Sequence, residues 1–195
     1  MWEERFAATS DFVFGKEPAQ FLLDHANWFK PGQSVLSVAD GEGRNSVYLA
    51  ERGLDVTALE FAPSALAKAR MLAADRGAKV TFRQFDVLAQ DFEGQYDIVM
   101  GLFIQFVGPV ERNKLFAKML KATKPGGLIV LHGYTPEQVA LGTGGPPFVE
   151  NMYTAKTLRE CFPTCEVLEV KEYEREAQSG KGVAAYIDFI ARVRG

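Results

Sequence analysis

From residue 34 onward the chain alternates short apolar runs with stretches of helical period, and that rhythm narrows the possible folds more than any other feature. Residues 34–39 read as a strand, and residues 44–52 as a helix stopped by Gly53. Residues 55–60 form a second strand. Pro63 opens an Ala- and Leu-rich helix over 63–76 with Gly77 as its stop, since proline suits a first helical turn and glycine the residue past the last. Further strands are expected over 80–85 and 96–102, and a helix over 110–123. Lys124-Pro125-Gly126-Gly127 then turns the chain into a strand over 128–132. Strands separated by helices need right-handed crossovers, which give a mainly parallel sheet covered on both faces. The tail departs from this: a helix is expected over 154–162, then two strand-like runs, 167–173 and 183–193, joined by Ser179-Gly180-Lys181-Gly182. That pattern reads as an antiparallel hairpin at one sheet edge. The fold class is therefore α/β, a doubly wound, mainly parallel sheet of Rossmann-like type with an antiparallel C-terminal hairpin.

A chain of 195 residues with 47% hydrophobic residues supports one domain with one core, here residues 1–195. Residues 1–30 are expected as an N-terminal lid or cap and 31–195 as the core. The start, Met1-Trp2-Glu3-Glu4-Arg5, is charged and not followed by a signal-like apolar run, and no stretch approaches the roughly 20 apolar residues of a membrane span. Cys161 and Cys165 are too few for a disulfide framework and wrongly spaced for a zinc knuckle, so reduced thiols in the cytoplasm and no metal are expected. A net charge of −3 argues against a surface built to neutralise nucleic-acid phosphates.

The most informative stretch is Ala39-Asp40-Gly41-Glu42-Gly43-Arg44-Asn45, where a strand ends in a small, glycine-rich turn and a helix begins at once. Glycines permit positive φ and let a ligand approach without meeting a Cβ, and the helix start adds unpaired N–H groups. Nineteen positions after Gly41, at the end of the second strand, stands Glu60, placed to accept hydrogen bonds from both ribose hydroxyls of an adenosine group. The pair points to a nucleoside ligand at the carboxyl ends of the strands. A dinucleotide site prefers a third glycine where this chain has Ser46, and no tyrosine is followed four residues later by lysine, as reductase chemistry would want. Small residues at 39, 41 and 43 suit an amino-acid moiety better than a pyrophosphate.

These residues resemble the class I S-adenosylmethionine-dependent methyltransferases, and within them the compact group related to the tellurite-resistance and thiopurine methyltransferases. The resemblance rests on Trp2-Glu3-Glu4-Arg5-Phe6, Phe12-Val13-Phe14-Gly15, the turn at 39–45, Glu60, Asp86, Tyr96-Asp97-Ile98-Val99, Lys124-Pro125-Gly126-Gly127 and Gly144-Gly145-Pro146. It implies a seven-stranded sheet with an antiparallel last strand, and S-adenosyl-L-methionine as cofactor. The backbone at Ala39, Gly41 and Gly43 would hold its methionine part, with Gly101 and Leu102 nearby after the fourth strand. Glu60 would bind the ribose, Phe61 would lie near the adenine, and Asp86 with the Val87 backbone would bind the adenine amino group. The class often has an acid where this chain has Ser37 and glycine where it has Ala39. Asp40 and Glu42 are then the expected negative charge for the cofactor's ammonium.

Methyl transfer is an in-line displacement at an activated carbon, so alignment and exclusion of water do much of the work and a base is optional. The expected activity is methyl transfer to a small molecule, a thiol or metalloid oxyanion by analogy. RNA or protein methylation, or a non-catalytic S-adenosylmethionine-binding sensor, are the alternatives. Seven aromatics fall in the first 30 residues. Phe21, Trp28 and Phe29 fit a helix packed on the sheet, whereas Trp2, Phe6, Phe12 and Phe14 also suit a lid whose rings meet a sulfonium. Gln105, His132 and Tyr134, just past the fourth and fifth strands, are the candidates for catalysis. The loop 134–153, rich in Gly and Pro, is long enough to suggest a role. Lys114, Lys118 and Lys121 read as a solvated helix face.

Overall fold

Apolar alternation gives way to a sheet in the first of two compact units, residues 1–91 and 92–195. The computed structural model describes residues 2–195; Met1, the first residue of the expected cap, lies outside the described residues. In the first unit, strands β1 (Ser34–Val38), β2 (Asp55–Glu60) and β3 (Val80–Gln84) pair in parallel in the order β3-β2-β1. Helices α3 (Arg44–Glu51) and α4 (Pro63–Asp75) make the crossovers. Val35, Leu36, Val38, Val56, Ala58 and Leu59 are buried on the strands, as a sheet covered on both faces requires. Val47 of α3 meets Leu72 and Ala73 of α4 in one cluster, with Phe12, Val80 and Phe82 at its margin.

Residues 2–30 belong to this same unit. They form helix α1 (Trp2–Ala7), helix α2 (Gln20–Asp24) and a single 3-10 turn, Ala26–Trp28. Phe21 and Phe29 are buried as expected, while Trp28 is only half-buried and sits in the 3-10 turn rather than a full helix. Helix α4 has no capping side chain of its own; the Glu3 carboxylate, brought by α1, accepts hydrogen bonds from the Ser64 amide and hydroxyl instead.

The second unit contains β4 (Tyr96–Leu102), α5 (Pro109–Lys121), β5 (Thr123–Tyr134), α6 (Gln138–Leu141), α7 (Ala155–Cys161), β6 (Cys165–Glu176) and β7 (Val183–Val193). Strands β4 and β5 run parallel, and β7 lies antiparallel between β5 and β6. The expected hairpin is therefore present, with β6 longer than its sequence pattern suggests. Two local expectations need correction. The Lys124–Gly127 stretch is not a turn before the strand but an irregularity within β5: Tyr96 pairs with Thr123 and Ile98 with Leu128. Gly127 passes so close to the Asp97 and Lys124 carbonyls that a Cβ would stand 2.8 and 2.9 Å from them. The loop after β5 is not wholly irregular either, since α6 and a 3-10 turn, Val149–Asn151, interrupt it. Lys114 and Lys121 are exposed and Lys118 half-buried on α5, close to the expected wet face. No helix among the described residues is long and apolar enough to cross a membrane.

Candidate active site

The glycine turn begins with a strained residue. Ala39, just past β1, has φ 52°, a left-handed conformation that costs a residue with a Cβ about 1–2 kcal/mol. Glycine is the natural occupant of such a position, which explains why the wider class carries it there. Gly41 and Gly43 also have positive φ, but for different ends. A Cβ at Gly41 would meet nothing nearer than the Phe6 ring edge, 3.8 Å away, so the side-chain side of this residue is open. A Cβ at Gly43 would stand 2.8 Å from the Ala69 Cβ, so that glycine lets the start of α3 pack directly on α4.

Glu60 closes the other side. Its Oε2 accepts the Gly41 amide at 2.8 Å and its Oε1 the Ala62 amide at 2.8 Å, in a position only 7% exposed. Each carboxylate oxygen has two acceptor positions, and these bonds occupy one on each. Two vicinal hydroxyls are what such a carboxylate can still receive. Phe61, next along, is 59% exposed, an unusual state for a ring that size. Asp86 Oδ1 accepts the Leu88 and Ala89 amides at 2.9 and 3.1 Å and so folds its own turn, with Val87 buried beside it.

Asp40 is held differently. Its carboxylate accepts the Ser37 hydroxyl at 2.6 Å and the Ser46 hydroxyl at 2.5 Å, while its amide donates to the Leu59 carbonyl. Loss of hydration pushes its pKa up to about 6; the two seryl hydroxyls pull it down, and the neighbouring Glu60 charge raises it again. Ser37 thus supports an acid at position 40 in place of the acid usual at its own position. Ser46, where a dinucleotide site would have glycine, spends its hydroxyl on the same carboxylate. Glu42, 3% exposed, is paired with the Lys68 ammonium at 2.9 Å, so its charge is already balanced within the protein. Of the two acids expected to face an ammonium, only Asp40 lacks a cationic partner among these contacts.

The first unit therefore brings together Ala39, Asp40, Gly41 and Glu60, and turns Glu42 toward Lys68. Neither Lys68 nor the seryl braces stand out in a motif. The signal for Lys68 is a charge in a helix stripe otherwise made of Ala65, Leu66, Ala69 and Leu72.

In the second unit, Gly101 and Leu102 are the last two residues of β4 rather than residues after it, and both are buried. The space beside Gly101 is filled by the Ile104 side chain. Phe103 follows with φ 60°, its amide bound to the His132 carbonyl at 2.8 Å. Gln105 spends both ends of its amide on one residue, donating to the Tyr134 carbonyl at 2.8 Å and accepting the Tyr134 amide at 2.7 Å. Gly133 must lack a Cβ because the Gln105 side chain crosses it. His132, 4% exposed, binds Asp188 through Nδ1 at 2.7 Å, and the Tyr173 hydroxyl donates to the same carboxylate oxygen at 3.2 Å. With Asp188 ionised, a neutral imidazole carries its proton on Nδ1. Tyr134 is half-buried and stacked on Tyr186. The partner on β7, Asp188, belongs to no sequence motif; strand register alone brings it opposite His132.

Residues 35–127 match a methyltransferase domain family. Among curated relatives, the chain is 30% identical over 135 residues to glycine/sarcosine N-methyltransferase of Parasynechococcus marenigrum, covering 67% of this chain and 44% of that protein. It is 35% identical over 117 residues to demethylmenaquinone methyltransferase of Thermus thermophilus, covering 58% and 53%. The chain spans about half the length of the curated relatives it matches. Among solved structures, TehB from Haemophilus influenzae superposes with a TM-score of 0.76 at 20% identity, over 99% of this chain and 67% of the other. The N-methyltransferase NodS from Bradyrhizobium japonicum, in complex with S-adenosyl-L-homocysteine, gives 0.75 at 12% identity, over 99% and 97%. At such identities the structures speak for the fold, the doubly wound α/β arrangement with an antiparallel C-terminal hairpin. The chain thus carries a methyltransferase domain over residues 35–127, and its fold, with the turn from Ala39 to Gly43 and the carboxylate at Glu60, is similar to that of the class I S-adenosylmethionine-dependent methyltransferases.

Proposed function

We propose that the protein transfers a methyl group from S-adenosylmethionine to a small molecule. The observation that carries this reading is Glu60, held from behind by the Gly41 and Ala62 amides with an acceptor position left on each oxygen, beside an opening that Gly41 keeps free of side chain. The residues fit the cofactor group by group. Glu60 receives the ribose hydroxyls, exposed Phe61 offers a face to the adenine, and Asp86 with the Val87 backbone takes the adenine amino group. The backbone of residues 39–43 holds the methionine part. A half-buried carboxylate whose pKa is pushed up to about 6 is stabilised by a cation, so Asp40 is the natural partner of the cofactor's ammonium.

When bound, S-adenosylmethionine supplies a methyl carbon activated by its sulfonium. The chain's own part is to orient the cofactor and exclude water, which carries much of the rate in such displacements. Gln105 is fully engaged with Tyr134 and acts in the frame. A soft, already ionised acceptor such as a thiol or metalloid oxyanion needs no base and is the first class to try, in a cytoplasmic setting. The relatives named for glycine/sarcosine and demethylmenaquinone support a small-molecule acceptor and do not single out a thiol or an oxyanion.

Isothermal titration with S-adenosylhomocysteine, followed by transfer of labelled methyl groups into metabolite pools, tests the reading. Binding with transfer to a small molecule is expected. No binding would end it, and binding with no transfer to any pool would favour a sensor.

A further inference from the structure

Lys68 is a lysine inside an apolar helix face. Ala65, Leu66, Ala69 and Leu72 around it are buried, and Lys68 itself is only 8% exposed. An ammonium taken out of water must be met by acceptors for its donors. Its Nζ has three N–H donors and finds three: the Phe6 carbonyl at 2.8 Å, the Asp11 carbonyl at 2.8 Å and Glu42 Oε1 at 2.9 Å. The first two belong to the N-terminal segment and the third to the glycine turn. The other Glu42 oxygen accepts the Phe14 amide at 3.4 Å, and Arg44, at the start of α3, donates to the Phe14 carbonyl at 3.2 Å. Within the segment, the Phe6 ring lies against the opening at Gly41, stacked on Trp2 at 5.7 Å. The Arg5 guanidinium lies over both Trp2 and Phe14, at 5.2 and 5.0 Å.

We infer that Lys68 is a positioning residue that clasps residues 2–14 to Glu42, so that seating this cap and shaping the turn at residues 39–43 are one event. The inference rests on the cofactor reading above and deepens it: Glu42 serves the clasp, and Asp40 alone serves the ammonium. Because coupling is reciprocal, whatever holds the cap down tightens cofactor binding, and bound cofactor holds the cap down.

The decisive variant is Lys68→Met with Glu42→Gln. Lys68→Met alone strands a buried carboxylate and destabilises the protein for that reason, whereas the double variant removes the charge with the tether. Two measurements are made on it: titration with S-adenosylhomocysteine, and chymotrypsin cleavage at Phe6, Phe12 and Phe14 with and without that ligand. Affinity is expected to fall about tenfold, within the usual span of couplings, and cleavage to speed up by at least a similar factor. Ligand should slow the cleavage in the wild type and leave it unchanged in the variant. Lys68→Arg, which keeps the charge, should recover part of both effects, and it decides the matter alone if the double variant does not fold. A folded variant with wild-type affinity and wild-type protection of residues 6–14 would overturn the clasp and leave Lys68 a structural group. If the wild type itself binds no S-adenosylhomocysteine, the cofactor reading falls instead, and the cleavage comparison decides the clasp by itself.

Discussion

Four polar groups, two in each compact unit, are held in contrasting ways. In residues 92–195, Gln105 is closed on the Tyr134 backbone, and His132 is held by an Asp188 that Tyr173 also binds. Those groups hold strand ends in register. In residues 2–91, Glu60 is bound from one side with acceptor capacity left over, and Asp40 carries a carboxyl whose pKa has been driven up to about 6 without a cation to relieve it. Burial alone does not mark a ligand site. What marks it is a polar group whose protein partners meet only part of its demand.

The largest test of that contrast is Glu60→Ala. It removes charge-assisted bonds worth about 1.5–3 kcal/mol, so S-adenosylhomocysteine affinity should fall about tenfold to a hundredfold by calorimetry. Part of that loss would come through the Gly41 and Ala62 amides, which lose their acceptor as well. Matching affinities would put the ribose elsewhere. Gln105→Ala should do the reverse, lowering stability by about 1–3 kcal/mol as the Tyr134 backbone loses its partners, with cofactor affinity within about twofold of wild type. A large loss of affinity there would erase the distinction between the units.

Asp40 gives a test by pH. Ammonium binding favours the ionised carboxyl, so affinity should rise from pH 5 through about 6 and level off above it, by at most about tenfold per unit. The ligand-free protein has the opposite sign. A carboxyl with its folded pKa raised from 3.8 to about 6 takes up a proton on folding in that window, so its contribution to stability is present below the lower value and lost as pH rises to the upper. Asp40→Asn should flatten both profiles; an unchanged binding profile would remove Asp40 from the ammonium site. The smallest expected effect is Ala39→Gly, which relieves the positive φ and should raise stability by about 0.5–1 kcal/mol after the entropy of glycine is offset, a gain of roughly 1–4 °C in Tm, with affinity preserved.

Much of the fold was legible because it rests on local periodicity. The sequence bounds expected for β2, β4 and β7 match the strands observed, since a two-residue alternation or a buried apolar run ends where the apolar residues end. The start of β5 was not legible: Pro125, Gly126 and Gly127 read as a turn, yet pairing with Tyr96 carries Thr123 into the strand. Ala39 and Gly41 stood out as a turn, but the separate duties of Gly41 and Gly43 depend on what lies in front of each, open space or α4.

By itself the sequence determined the order of strands and helices, the glycine turn and the acid at position 60, because each is a property of neighbours along the chain. Only the tertiary structure decided which charges are available. Glu42 and Asp40 are two residues apart and chemically alike, and no local rule separates them. Lys68, twenty-six positions beyond Glu42, neutralises one, and two serines hold the other without cancelling its charge. Electrostatic roles are set by whatever packing brings within a few ångströms, and at low dielectric that neighbour outweighs sequence context.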